Sequence, residues 1–116
     1  MPHILDAEGW TPAAQYFRAH FPASGLAPLV EQIAASRYRD GVWGWTSMDS
    51  LCLAQPPVRD PAAQMMLEYL HIAPNHHGAL TFRHHGSTWE RVVPADAGFA
   101  RLEAFFDQLR WFPATS

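Results

Sequence analysis

Lysine is missing from this chain, so its eight cationic side chains, set against eleven acids, are all arginines. Without lysine there is no Schiff-base amine and no P-loop lysine to reach a nucleotide phosphate. A net charge of −3 and the lack of any basic run make the chain a poor match for a nucleic-acid backbone. Arginine-only usage alongside abundant alanine points to a GC-rich, bacterial genome. Cysteine is nearly absent as well. Cys52 is the only one, which excludes an intrachain disulfide and any cysteine-based zinc site within one chain. Its setting, Ser50-Leu51-Cys52-Leu53, is apolar, so it reads as a small buried hydrophobe and not as a nucleophile. No apolar run approaches the length of about 18 residues needed for a transmembrane helix. The opening Met-Pro-His-Ile-Leu-Asp has neither a charged n-region nor an apolar h-region. The expectation is a cytoplasmic protein with no nucleic-acid partner and no membrane partner.

Catalytic signatures are also lacking. There is no Gly-x-Ser-x-Gly, and Ser47, Ser50 and Ser87 have no nucleophile-elbow context. The scattered glycines form no Gly-x-Gly-x-x-Gly. Gly41-Val42-Trp43-Gly44-Trp45 is followed by no lysine and is crowded by two tryptophans, so it reads as a tight entry into a sheet.

What is present is enough for one domain spanning 1–116, able to bury roughly two thirds of its unfolded surface without a disulfide or metal. Hydrophobic residues make up 48% of the chain, and five Trp, seven Phe and three Tyr are generous for so small a core. Either the large rings simply fill a small core, or some of this surplus lies at an interface or a pocket mouth. Ten prolines punctuate the chain, mostly where elements should begin or end.

Thr11-Pro12 resembles a cap followed by a first-turn proline, predicting a helix over Ala13 to Phe21 that Pro22 stops. Leu26, Leu29, Val30 and Ile33 recur at helical spacing and predict a second helix from Leu26 to Tyr38, capped by Ser24. Val42 to Trp45 and Asp49 to Ala54 are strand-like. Pro61 to Ile72 reads as a short helical turn followed by a strand.

A two-residue turn at Gly86-Ser87 sets Leu80 against Val93, Phe82 against Arg91, His84 against Trp89, and Arg83 against Glu90 on the other side. A five-residue loop from Pro74 to Gly78 sets Ile72 against Leu80 and Leu70 against Phe82. Both hairpins then put Leu70, Ile72, Leu80, Phe82, Trp89 and Val93 on one face. The other face collects Tyr69, His71, Thr81, Arg83, His85, Thr88 and Glu90. Asp96 is expected to cap a last helix to about Trp111, with Phe99, Leu102, Phe105, Phe106 and Leu109 as its apolar stripe. The fold class expected is α+β: a two-layer domain with an antiparallel sheet of three or four strands, covered on one face by helices, in the order α-α-β-β-β-β-α.

Five of the seven histidines fall between His71 and His85. A catalytic zinc commonly takes about three ligands from histidine and carboxylate. His71, His76 and His77 are candidates, with Glu68 or Glu90 as carboxylate, but no His-Glu-x-x-His or other ligand spacing occurs. The alternative for these histidines is a solvated polar face and turn. Trp43 and Trp45 share one side of their strand and suit either a recognition patch or the open end of the core.

The leading expectation is a small non-enzymatic protein-interaction domain: an inhibitor, immunity-type partner, adaptor or chaperone-like protein. Its partner is another protein, with a homodimer possible, and its contacts are Trp43, Trp45, Tyr69, Arg83 and Glu90. No cofactor is required. The competing expectation is a small metal-dependent or histidine-using enzyme, with zinc held by His71, His76 and His77.

Overall fold

In the computed structural model, residues 4–5, 9–55, 61–64, 67–75 and 78–112 are described. Two helices come first after a two-residue strand, β1 (Ile4–Leu5). Helix α1 (Trp10–His20) buries Trp10, Ala13, Ala14 and Phe17, the spacing of one helical face. It begins before Thr11, not after it. Gly9 takes the cap position, and Pro12 falls in the first turn, where backbone donors have no intrahelical partner. Helix α2 (Leu26–Ala34) is capped by Gly25 in a left-handed conformation and not by Ser24, which lies one residue earlier and accepts the Leu26 N–H at 3.2 Å.

Helix α2 ends four residues short of the expected Tyr38. Ser36 is the reason: its hydroxyl donates to the Ile33 carbonyl at 2.8 Å and accepts the Tyr38 N–H at 3.1 Å. That local bonding competes with helix continuation and tightens Arg37–Asp40 into a 3-10 turn.

The strands follow as β2 (Trp43–Ser47), β3 (Ser50–Ala54), β4 (Tyr69–Pro74), β5 (Ala79–His85) and β6 (Glu90–Pro94). A short helix, α3 (Pro61–Gln64), precedes β4, as the sequence implied. Spatial order equals sequence order, β1-β2-β3-β4-β5-β6, and neighbouring strands run antiparallel. The sheet is thus a meander of five full strands with a two-residue edge, larger than the three or four expected. The difference comes from the glycine-interrupted tryptophan run, which pairs throughout from Trp43↔Ala54 to Ser47↔Ser50.

The β5–β6 register is the expected one: Leu80↔Val93, Phe82↔Arg91 and Arg83↔Glu90, with the His84 N–H donating to the Trp89 carbonyl at 3.1 Å. The β4–β5 register is shifted by two residues, to Ile72↔Phe82 and Leu70↔His84. Pairing continues into the presumed loop at Pro74↔Leu80. Asn75 closes it from both sides: its N–H donates to the Ala79 carbonyl at 3.0 Å and its Oδ1 accepts the Ala79 N–H at 3.2 Å. A shift of two leaves every side chain on its expected face, because the strand period is two.

Leu51, Leu53, Leu70, Ile72, Leu80 and Phe82 lie on one face and share a single core with the buried sides of α1, α2 and α4 (Gly98–Leu109). A 3-10 turn, Ala95–Ala97, leads into α4, so Asp96 lies before the helix and does not cap it. Leu102, Phe105 and Phe106 are buried in its stripe, whereas Leu109 is 36% exposed. Trp111 takes the place expected of Leu109. Arg110 adopts a left-handed conformation, and the Trp111 N–H donates to the Phe106 carbonyl at 3.0 Å. The chain therefore folds back, and the indole stacks on Phe106 with centroids 5.6 Å apart. Among the described residues no helix is long and apolar enough to cross a membrane.

Candidate functional site

Alternate residues of β2 to β6 point away from the helices, and the pairing lines them up across the sheet. One row runs Trp45, Cys52, His71, Arg83, Glu90, each directly opposite the next. In the adjacent rank Trp43 pairs with Ala54 and Tyr69 with His85. The five residues expected to contact a partner, Trp43, Trp45, Tyr69, Arg83 and Glu90, thus share one sheet face.

They do not all play the same part in it. Trp45 is only 2% exposed and forms a second small apolar cluster with Cys52 and Ala54. The small side chains of Cys52 and Ala54 leave room beside the indole. Trp43 and Tyr69 pack on this cluster and remain half-buried. The Tyr69 ring sits 5.3 Å from Trp45 at 50°, and on its other side stacks with His85 at 4.8 Å and 24°. Trp45 is therefore the floor of the patch, and Trp43, Tyr69 and His85 are its surface.

Arg83 and Glu90 form the polar flank, Nε to Oε2 at 3.4 Å, both largely solvated. An exposed pair of this kind contributes less than about 1 kcal/mol to stability, so both groups remain free to re-pair. Val92, exposed on the same side, extends the patch to the sheet edge.

His71 lies between Cys52 and Arg83 in the first row. Burial, and secondarily the Arg83 cation, holds its pKa below the usual histidine value, with Asp49 partly opposing. Burial likewise raises the Tyr69 phenol and pushes the Cys52 thiol up to about 12. Cys52 is accordingly a neutral packing residue at neutral pH.

The depressed His71 pKa has a pH consequence. Its folded pKa lies below the unfolded value near 6.5, so the unfolded chain binds the proton first as acid is added. The stability it contributes is complete above about pH 6.5 and falls as pH drops toward the folded pKa. Urea unfolding at pH 7 and pH 5 is expected to show lower stability at pH 5, with a smaller difference in His71→Gln. An identical pH difference in both proteins would remove His71 as the cause.

Among the described residues no group of three His, Cys, Asp or Glu side chains is placed to hold a metal. His76 and His77 lie outside the described residues. Within the described strands, His71 is paired with Cys52 and Arg83 and not with a carboxylate.

A second polar group was not foreseen. On the helix side, His84 Nδ1 lies 2.7 Å from Ser87 Oγ, and His84 Nε2 lies 3.5 Å from Glu68 Oε1. The same carboxylate oxygen accepts the Trp111 indole N–H at 3.0 Å. The turn serine was visible in the sequence, three residues after His84. Glu68 and Trp111, 43 residues apart, carried no local signal.

Comparison with profiles of known families, with curated proteins and with solved structures finds no match to this chain.

Proposed function

We propose that this chain is a non-enzymatic protein-interaction domain of the bacterial cytoplasm, acting as an inhibitor, immunity-type partner, adaptor or chaperone-like protein. Its docking surface is the sheet face opposite the helices. The observation that carries this reading is the convergence of Trp43, Tyr69 and Arg83, from three strands, on one face above a buried Trp45 floor. Aromatic and arginine side chains on a rigid, water-excluding base are the side chains that dominate protein–protein binding energy. The Tyr69–His85 stack already fixes its rings, so little conformational entropy is lost on contact. Arg83 and Glu90 offer charges of both signs at the rim, where they set register and on-rate.

The test is a matched pair of baits. The unaltered chain is expected to retain one stoichiometric protein partner, and its Kd is then measured with both components purified. Tyr69→Ala together with Arg83→Ala should weaken that Kd by about 30-fold or more, the effect of a hot spot worth at least about 2 kcal/mol. Arg18→Ala, on α1 in the helix layer, should leave it unchanged. A partner held equally by the double variant would overturn the sheet-face reading. Stoichiometric bound zinc that is lost when His71, His76 and His77 are all replaced by alanine would overturn it in favour of the metal-dependent alternative.

A further inference from the structure

We propose that Ser87 is a nucleophile toward activated carboxylic esters, with His84 as its base and Glu68 as the group that positions the base. This goes beyond the docking surface and rests on different atoms. An activated hydroxyl is recognised by a base within hydrogen-bond reach that is itself oriented by a third group, and these residues meet that description. Ser87 Oγ lies 2.7 Å from His84 Nδ1. The imidazole is fixed: its side chain is 6% exposed, and it meets the Phe105 ring edge-on at 5.6 Å. Its other nitrogen is buried, with no hydrogen-bond partner closer than the Glu68 carboxylate at 3.5 Å.

One tautomer suits both sides of the ring. With hydrogen on Nε2, the Nδ1 lone pair faces Ser87, and the Nε2 edge of the ring lies 3.5 Å from the Glu68 carboxylate without a hydrogen bond to it. Ser87 Oγ already accepts the Trp89 N–H at 3.2 Å, which leaves its own hydrogen to point at Nδ1. Glu68 is held in turn by the Trp111 indole. The order is therefore Ser87 O–H donating to His84 Nδ1, with the Glu68 carboxylate 3.5 Å from Nε2 as a charge beside the ring and not as a hydrogen-bond acceptor. If protonated, the imidazole becomes a cation facing the carboxylate, so the 3.5 Å contact gains attraction as the base takes up its proton.

Ser87 itself is exposed at the turn, so an ester reaches it from solvent. In the step, Oγ forms a bond to the ester carbonyl carbon and its proton passes to His84 Nδ1. The bond from that carbon to the leaving oxygen then breaks, and the alcohol or phenol departs with the proton from Nδ1. The product is an O-acyl group on Ser87, with no oxidant or reductant involved.

The full chain is treated with p-nitrophenyl acetate, following nitrophenol release and locating acetyl groups by peptide mass spectrometry. The expected result is acetyl on the peptide carrying Ser87, with release at least about 10-fold faster than from Ser87→Ala, below the range typical of a positioned base. Ser87 is exposed, so its variant folds and carries the decision. Glu68→Gln keeps an acceptor for Trp111 and removes the charge facing His84. It should slow acetylation with the melting temperature unchanged, and Glu68→Asp should recover part of the rate, which a merely structural contact would not do. Equal release by Ser87→Ala, or acetyl found only elsewhere in the chain, would overturn the proposal. So would a rate in Glu68→Gln equal to that of the unaltered chain, for the part assigned to Glu68.

Discussion

Replacing Phe105 by alanine is expected to cost about 3–5 kcal/mol of folding stability, the range for truncating a fully buried ring. Phe105 is 1% exposed and stands where three parts of the chain meet. Its ring contacts His84 at 5.6 Å, Trp89 at 5.1 Å and Trp111 at 5.1 Å, joining α4 to the β5–β6 hairpin and to the folded-back end of the chain. Those rings are rigid and anchored on different elements, so they collapse poorly into the space left, and a cavity term adds to the lost transfer energy. Urea denaturation of Phe105→Ala, with Leu102→Ala beside it, measures the effect. A loss under about 1 kcal/mol at both positions would mean that α4 is peripheral, contrary to its burial. Because Phe105 also backs His84, its truncation should loosen the Ser87 contact and slow any acetylation of that serine.

The strands were legible because their two-residue period is written into the side chains. Leu80-x-Phe82-x-His84 and Leu70-x-Ile72 alternate with polar residues, and the assigned faces are the observed ones. The β4–β5 pairing was displaced because its loop length was inferred from Pro74 and Gly78. Pro74 in fact pairs with Leu80, and Asn75 closes the turn by bonds that composition does not reveal. Helix ends failed for a similar reason. Ser36 stops α2 by bonding its own neighbourhood, and Asp96 sits in a 3-10 turn ahead of α4.

The sites show the same division. Placing Tyr69, Arg83 and Glu90 on one face needed only the alternation rule. Recognising Trp45 as a floor needed Cys52 and Ala54 beside it across β3, which is information about pairing between segments. The Ser87–His84 contact spans one turn, whereas its continuation to Glu68 and Trp111 joins segments brought together only by the folded core. The alternation of strand faces was readable. The closure of polar networks by distant residues was not, because nothing local encodes it.

Gly44→Ala is the second large effect expected, a loss of about 3 kcal/mol, at the upper end of the overpacking range. Gly44 faces Leu53 across the β2–β3 pair. A Cβ there would overlap the Cys52 carbonyl oxygen, and would lie 3.1 Å from the Cys52 carbonyl carbon and 3.2 Å from the Leu53 Cα. These are backbone atoms of a paired strand, so no side-chain rotation relieves the contact and β2 must move off β3. The movement would carry Trp43 and Trp45 with it, taking the floor from under Tyr69. Stability and the aromatic sheet face should therefore fail together, seen as a lower urea midpoint and a changed near-ultraviolet tryptophan signal. Gly78→Ala is the control. Gly78 has φ +70° with nothing within 4 Å of an added Cβ, so only the backbone conformation resists it, at about 1 kcal/mol. If Gly44→Ala proves no worse than Gly78→Ala, the close approach of β2 to β3 is not what the glycine provides, and the tryptophan face does not depend on it.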